Sequence, residues 1–120
     1  MHELSIATAV LNTALRHAGG RRVVTVSVRT GAMRQVVPRS LEFYFQIVAR
    51  DTPCEGAALL VTEVATELGC RECEALWSPV IPAFRCPHCG GADVAIMGGE
   101  ELGVDYIEVE QEEAACIAPG

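Results

Sequence analysis

Four cysteines stand in two identical spacings, Cys70-Arg-Glu-Cys73 and Cys86-Pro-His-Cys89, with twelve residues between the pairs. Zinc takes four ligands at tetrahedral corners, and thiolates suit it well. Each CxxC turn presents two thiolates to one side of a metal, so the two pairs complete a site. Gly90-Gly91 lets the chain turn tightly after the second knuckle, and Pro87 stiffens it. Four thiolates leave no position for water, which makes the site structural and not catalytic. Zinc binding would then contribute folding free energy to the segment that carries the cysteines. Two alternatives remain at this level. One is a rubredoxin-type iron site, which the spacing does not separate from zinc. The other is a pair of disulfides, which a reducing compartment disfavours. His88 reads as an exposed knuckle residue and not as a fifth ligand. Cys54 and Cys116 have no CxxC partner and read as bystanders.

A second constellation is the amino terminus, Met1-His2-Glu3. A histidine in second position gathers three nitrogens: the terminal amine, its own amide and its imidazole. Together these form fused chelate rings around a metal that favours square-planar or tetragonal nitrogen ligation, as nickel(II) and copper(II) do. Glu3 adds a carboxylate one residue away. Such a site is exposed and open, suited to loading and unloading. The bland reading of a histidine beside a start methionine is a solvated terminus.

The elements that must position these groups follow from periodicity. Leu4, Ala7, Leu11, Ala14, Leu15 and Ala18 recur at helical steps, so residues 4–18 are expected as a helix with one apolar face, stopped by Gly19-Gly20. Residues 22–29 alternate, placing Val24, Val26 and Val28 on one side of a strand, with Gly31 as a breaker. Pro38 opens a second helix with Leu41, Tyr44, Phe45 and Val48 on its apolar face, ended by Asp51-Thr52-Pro53. Residues 57–64 and 104–110 read as two further strands. The cysteine module lies between those last two strands, so it reads as an insertion. The expected organisation is a main domain from residues 1–66 plus 104–110, a zinc-binding domain over 67–103, and a flexible acidic tail at 111–120.

The bulk composition limits the partners. The chain has 120 residues, a net charge of −7 and a pI near 4.8. All nine basic residues are arginine, and Glu100 to Glu113 holds seven acidic residues and no basic one. A net negative chain repels phosphate backbones, which counts against nucleic acid. No signal peptide is legible, and no apolar run approaches a membrane span. The expected location is cytoplasmic, with no membrane association. Neither a glycine-rich phosphate loop nor a nucleophile–base pair is present, so the chain is not expected to be an enzyme.

Met1-His2-Glu3-Leu4-Ser5, an amphipathic helix, and paired CxxC knuckles before an Ile107-Glu108-Val109-Glu110 strand together resemble the HypA/HybF family of nickel-insertion accessory proteins. Val36-Val37-Pro38, Leu41-Glu42-Phe43, Glu55-Gly56-Ala57 and Gly99-Glu100-Glu101-Leu102 add to the likeness, which runs from Met1 to about Glu110. The resemblance implies an α+β fold: a small nickel-binding domain of two helices on a three-stranded sheet, with an inserted zinc-ribbon-like domain. It implies nickel at Met1, His2 and Glu3, and structural zinc at Cys70, Cys73, Cys86 and Cys89. It implies a nickel metallochaperone for [NiFe]-hydrogenase maturation, and some members of the family also help supply urease. Its expected partners are a HypB-type nickel-handling GTPase and the hydrogenase large-subunit precursor. The competing reading is a zinc-ribbon interaction module without nickel transfer. Two positions depart from the family pattern: Arg39 stands where many relatives have an acidic residue, and Glu74 follows the first knuckle where a glycine is common.

Overall fold

The computed structural model describes residues 2–79 and 84–111. Met1, Cys116 and most of the acidic tail lie outside the described residues. The chain order is α1 (Glu3–Ala18), β1 (Val23–Gly31), a single 3-10 turn (Ala32–Arg34), α2 (Pro38–Val48), β2 (Ala58–Val64), β3 (Glu67–Cys70), β4 (Leu76–Trp77), β5 (Val94–Gly98) and β6 (Leu102–Val109). They form two three-stranded sheets, ordered β2-β1-β6 and β4-β3-β5. The second sheet falls between β2 and β6 in the chain. The architecture is α+β, with two helices packed beside the larger sheet.

β1 and β2 are parallel and joined through α2, whereas β6 returns antiparallel to β1. The core between helices and sheet is built from Ala7, Val10, Leu11 and Ala14 of α1, Val23, Val26 and Val28 of β1, and Leu41 and Phe45 of α2. With few aromatics available, Phe45 is the largest fully buried side chain. α1 ends at Gly19, whose φ of 60° is the left-handed cap that glycine adopts without a Cβ penalty.

Three local features differ from the periodic reading, each for a physical reason. Val24 was expected in the core, yet it is 46% exposed while Val23 is 2% exposed. A register shift between Val23 and Thr25 makes Val24 an extra residue opposite β6, and a bulge reverses side-chain alternation at that point. Leu4 is exposed and its neighbour Glu3 is buried at the start of α1 instead, while Val10, which the periodic reading left out, joins the core. Gly31 does not break β1; it ends the strand in extended conformation at a backbone crossing.

That crossing joins the two sheets. A Cβ on Gly31 would overlap the Gly99 carbonyl and lie 2.6 Å from the Glu100 nitrogen. Gly99, with φ of 106°, is itself stacked against Thr66, its Cβ position 2.6 Å from the Thr66 Cα. The Gly31 N–H donates to the Glu101 carbonyl at 2.6 Å, the Met33 N–H to the Gly99 carbonyl at 2.8 Å, and Arg34 Nε to the Glu100 carbonyl at 2.8 Å. The Glu101 carboxylate accepts from the Gly99 N–H at 2.7 Å. Its own N–H and that of Gly99 hold the Glu101 carboxyl below its ordinary value, so this contact is lost only as pH falls through that lowered value. Gly31→Ala is expected to destabilise the protein by about 1–3 kcal/mol or more through overpacking. Gly103→Ala, with nothing within 4 Å of its Cβ position, is expected to be close to neutral. Denaturant unfolding of the two variants checks the contrast.

Candidate metal centres

The four-cysteine cluster forms from two knuckles with matching hydrogen bonds. In the first, the Glu74 N–H donates to the Cys70 carbonyl at 2.9 Å and the Cys70 N–H to the Ala75 carbonyl at 2.9 Å. In the second, the Gly90 N–H donates to the Cys86 carbonyl at 2.8 Å and the Cys86 N–H to the Gly91 carbonyl at 2.9 Å. The residue after each knuckle is left-handed, with φ of 75° at Gly90 and 64° at Glu74. The turn therefore does not change where glycine is replaced. Glu74 adopts the glycine-like conformation and bears its steric cost.

The small sheet sets the two knuckles face to face. β3 runs into Cys70, and β5 is anchored to the first knuckle by the Arg71 N–H on the Asp93 carbonyl at 3.0 Å. All four Sγ atoms lie within 4.8 Å of one another. Cys70 and Cys89 approach to 3.6 Å, and Cys73 and Cys86 to 3.5 Å. A tetrahedron with Zn–S bonds of about 2.3 Å has S···S edges of about 3.8 Å, so spacing and donor chemistry both fit structural zinc. The sulfurs stand too far apart for disulfides, and the described cysteines are all free thiols.

The thiols are not equivalent. Burial would raise Cys86, but N–H groups of Cys89 and His88 directed at its sulfur, with the neighbouring thiols, outweigh it and pull it down to about 6. The two N–H···Sγ distances are 3.4 and 3.3 Å. The Ala75 N–H favours the Cys73 thiolate, but contact with the Cys86 thiol, desolvation and the remaining thiols push Cys73 up to about 12. His88 contributes its backbone N–H, and its imidazole is not in the four-sulfur cluster. Cys54 is buried away from it, its thiol raised by desolvation.

The amino-terminal residues are arranged differently. His2 is exposed and precedes the first turn of α1, its carbonyl accepting the Ile6 N–H at 3.0 Å. Glu3 is buried, and its Oε2 accepts the Val37 N–H at 3.1 Å. Val37 caps α2 and offers no side-chain acceptor of its own, and α2 has no acidic residue in its first turn. Glu3 supplies that negative charge from α1. The Val37 N–H outweighs burial and holds the Glu3 carboxyl below its ordinary value. Sequence reasoning placed Glu3 beside the metal but missed this anchoring role. The Val36-Val37-Pro38 segment, with no capping side chain before a helix, is the signal that would have found it. Arg39 is exposed on α2.

The fold and the closed thiolate cluster define a small metal-handling protein with a structural zinc site and a separate, solvent-facing terminus. The family profile described as "Hydrogenase/urease nickel incorporation, metallochaperone, hypA" matches residues 1–109, and the chain belongs to that family. It is 42% identical over 110 residues to the hydrogenase maturation factor HypA of Geotalea uraniireducens, covering 92% of this chain and all of the relative. The HypA of Geobacter metallireducens is 40% identical over 111 residues, with 92% of this chain and all of the relative covered. Among solved structures, the Ni metallochaperone HypA from Helicobacter pylori superposes with a TM-score of 0.67 at 22% identity, covering 93% of this chain and all of that one. A second HypA solution structure gives a TM-score of 0.70 at 22% identity, with 93% and 98% covered. These two bear on the fold alone. As a member of the family, the chain is a nickel metallochaperone of hydrogenase maturation and not an enzyme.

Glu74→Gly is expected to raise the stability of the cysteine module by about 1 kcal/mol, by relieving a left-handed non-glycine residue. Trp77, the single tryptophan, lies in β4 and reports on that module. Chelating the zinc is expected to shift Trp77 emission to the red while the β2-β1-β6 sheet keeps its far-ultraviolet signature. Unchanged emission at full zinc loss would contradict a metal-dependent fold for the module.

Proposed function

We propose that this chain carries Ni(II) on its amino terminus and keeps zinc as a permanent structural ion. In this reading the terminal amine of Met1 and the amide and imidazole nitrogens of His2 hold nickel, and Cys70, Cys73, Cys86 and Cys89 hold zinc. The nickel domain comprises residues 1–66 with 104–110, the zinc domain residues 67–103, and an acidic tail follows from 111. Nickel comes from a HypB-type GTPase in the cytoplasm and passes to the [NiFe]-hydrogenase large-subunit precursor.

The observation that carries the nickel assignment is the exposure of His2 directly before the first turn of α1, with Glu3 pinned to Val37 behind it. Amides at a helix start have no carbonyl partner four residues back, so a metal takes the His2 amide nitrogen without breaking a helical hydrogen bond. The positive end of the helix dipole favours an amide that gives up its proton. The same dipole opposes the metal's own charge, which keeps the site exchangeable. Glu3 holds the first turn in place through Val37 and puts a carboxylate near the cation. A closed four-thiolate site offers none of this: a transferred metal would have to break four strong bonds there.

Nickel is expected to bind the zinc-loaded native chain at one per protomer, and His2→Ala is expected to lose that binding and keep zinc. Equal binding by both chains would leave the alternative, a zinc-stabilised interaction module without nickel transfer. Neutral imidazole is the form that binds metal, because the protonated ring has no free lone pair on nitrogen. The Glu3 carboxyl, held below its ordinary value by the Val37 N–H, keeps its charge and its contact until pH falls through that lowered value. A titration of nickel affinity against pH in native and Glu3→Gln protein checks the sign. The variant should bind more weakly wherever the native carboxylate is charged, and the difference should close as pH falls through the lowered Glu3 value.

A further inference from the structure

We propose that the groove between α1 and the outer edge of β6 is a docking site for an extended segment of a partner protein in which basic residues alternate with apolar ones. The proposal builds on the nickel-carrier reading, because the groove starts beside the nickel-bearing terminus.

β6 is an edge strand of its sheet, paired with β1 on one side and with no strand on the other among the described residues. Its outer backbone N–H and C=O groups can therefore accept another strand. Beside that edge lies an apolar cavity of about 290 Å³, walled by Ile6, Ala9 and Val10 of α1 and by Leu102 and Val104 of β6. A second cavity of about 170 Å³ continues it past Thr13 and Val104 to His17 and Ile107. The two share lining residues and form one trough. From Ser5 to His17 the helix rises about 18 Å, and the six residues Leu102–Ile107 span about 20 Å when extended. A six-residue strand fits that length, with every second side chain turned into the trough.

Charge selects the occupant. Asp105 and Glu108 project from β6, and Glu101 and Glu110 flank it. Arg29 faces Glu101 and lines one hollow with it and Asp105, Arg21 lies beside Glu110, and His17 borders Asp105 from the other side, so four carboxylates stand against two arginines. Asp105 and Glu108 have no ion-pair partner among the described residues, so the rim is net negative. A basic strand would pair its outward side chains with these carboxylates while its apolar side chains enter the trough. A second copy of the chain would bring Asp105 and Glu108 against their own equivalents. The chain's own C-terminal residues begin with Glu112-Glu113 and would be repelled in the same way.

The trough opens at Ser5 and Leu102, one turn from His2. A segment docked there holds its protein within reach of the terminus without touching the nickel ligands.

The test uses zinc-loaded, nickel-free protein and two capped eight-residue probes, one alternating valine with lysine and one alternating valine with glutamate. Backbone amide resonances and hydrogen exchange are followed along β6. The valine–lysine probe is expected to shift Leu102–Ile107 and slow exchange at alternate amides, and the valine–glutamate probe to do neither. Ala9→Arg, which fills the trough from an exposed helix position, is expected to weaken the basic probe by about tenfold or more. Asp105→Lys, which leaves the trough open, is expected to weaken the basic probe and admit the acidic one. Absence of β6 shifts with the basic probe, or equal shifts in Ala9→Arg, overturns the proposal. So does β6 protection in the free protein that disappears on removing residues 112–120, or that grows with protein concentration. No nickel is present, so His2→Ala should behave as the native chain does, and failure here is distinct from failure of the nickel assignment.

Discussion

Two backbones cross at Gly31 and Gly99 at a separation that no side chain tolerates, and the relation between the two sheets depends on that contact. The crossing ties the end of β1 to the return from the small sheet, and four hydrogen bonds through Gly31, Met33, Arg34 and Glu101 close around it. The 3-10 turn held there leads directly into Val36 and Val37. Val37 in turn holds Glu3, the neighbour of His2. A run of six residues thus connects the seat of the small sheet to the seat of the amino terminus. Both are positioned by hydrogen bonds in which a main-chain group is at least one partner, which fixes direction as packing alone does not.

In the proposed assignment, the two metal environments are opposites in the features that govern exchange. The four sulfurs are drawn together by paired turns, two of them buried, and they form a closed donor set. The histidine terminus is exposed, lies on the open end of a helix and is steadied from behind by a single carboxylate. A protein that keeps one metal and passes on another needs that asymmetry. Sequence distance supplies it here, since the two sites draw on segments some seventy residues apart.

Periodicity made the two helices and the three strands of the larger sheet legible. The four cysteines were legible because spacing alone dictates a common site. The strands of the small sheet were not, since β3, β4 and β5 have only four, two and five residues. Segments that short carry no period, and they owe their pairing to the knuckles they connect. The exposure of Val24 depends on a bulge, which is a relation between two strands and leaves no mark in either one. Gly31 was legible as special but for the wrong reason: a turn and a close crossing both select glycine, and only the partner at Gly99 distinguishes them. Glu3 looked like a ligand by its neighbour, and the structure gives its carboxylate a hydrogen-bonded role on α2 as well.

The division of labour between the two sites is tested most directly by X-ray absorption at both metal edges, on protein with a native amino terminus loaded with zinc and then with nickel. The account predicts a zinc edge dominated by four sulfurs at about 2.3 Å and a nickel edge with only nitrogen and oxygen neighbours. Sulfur scattering at the nickel edge, or loss of sulfur at the zinc edge in step with nickel uptake, would contradict it.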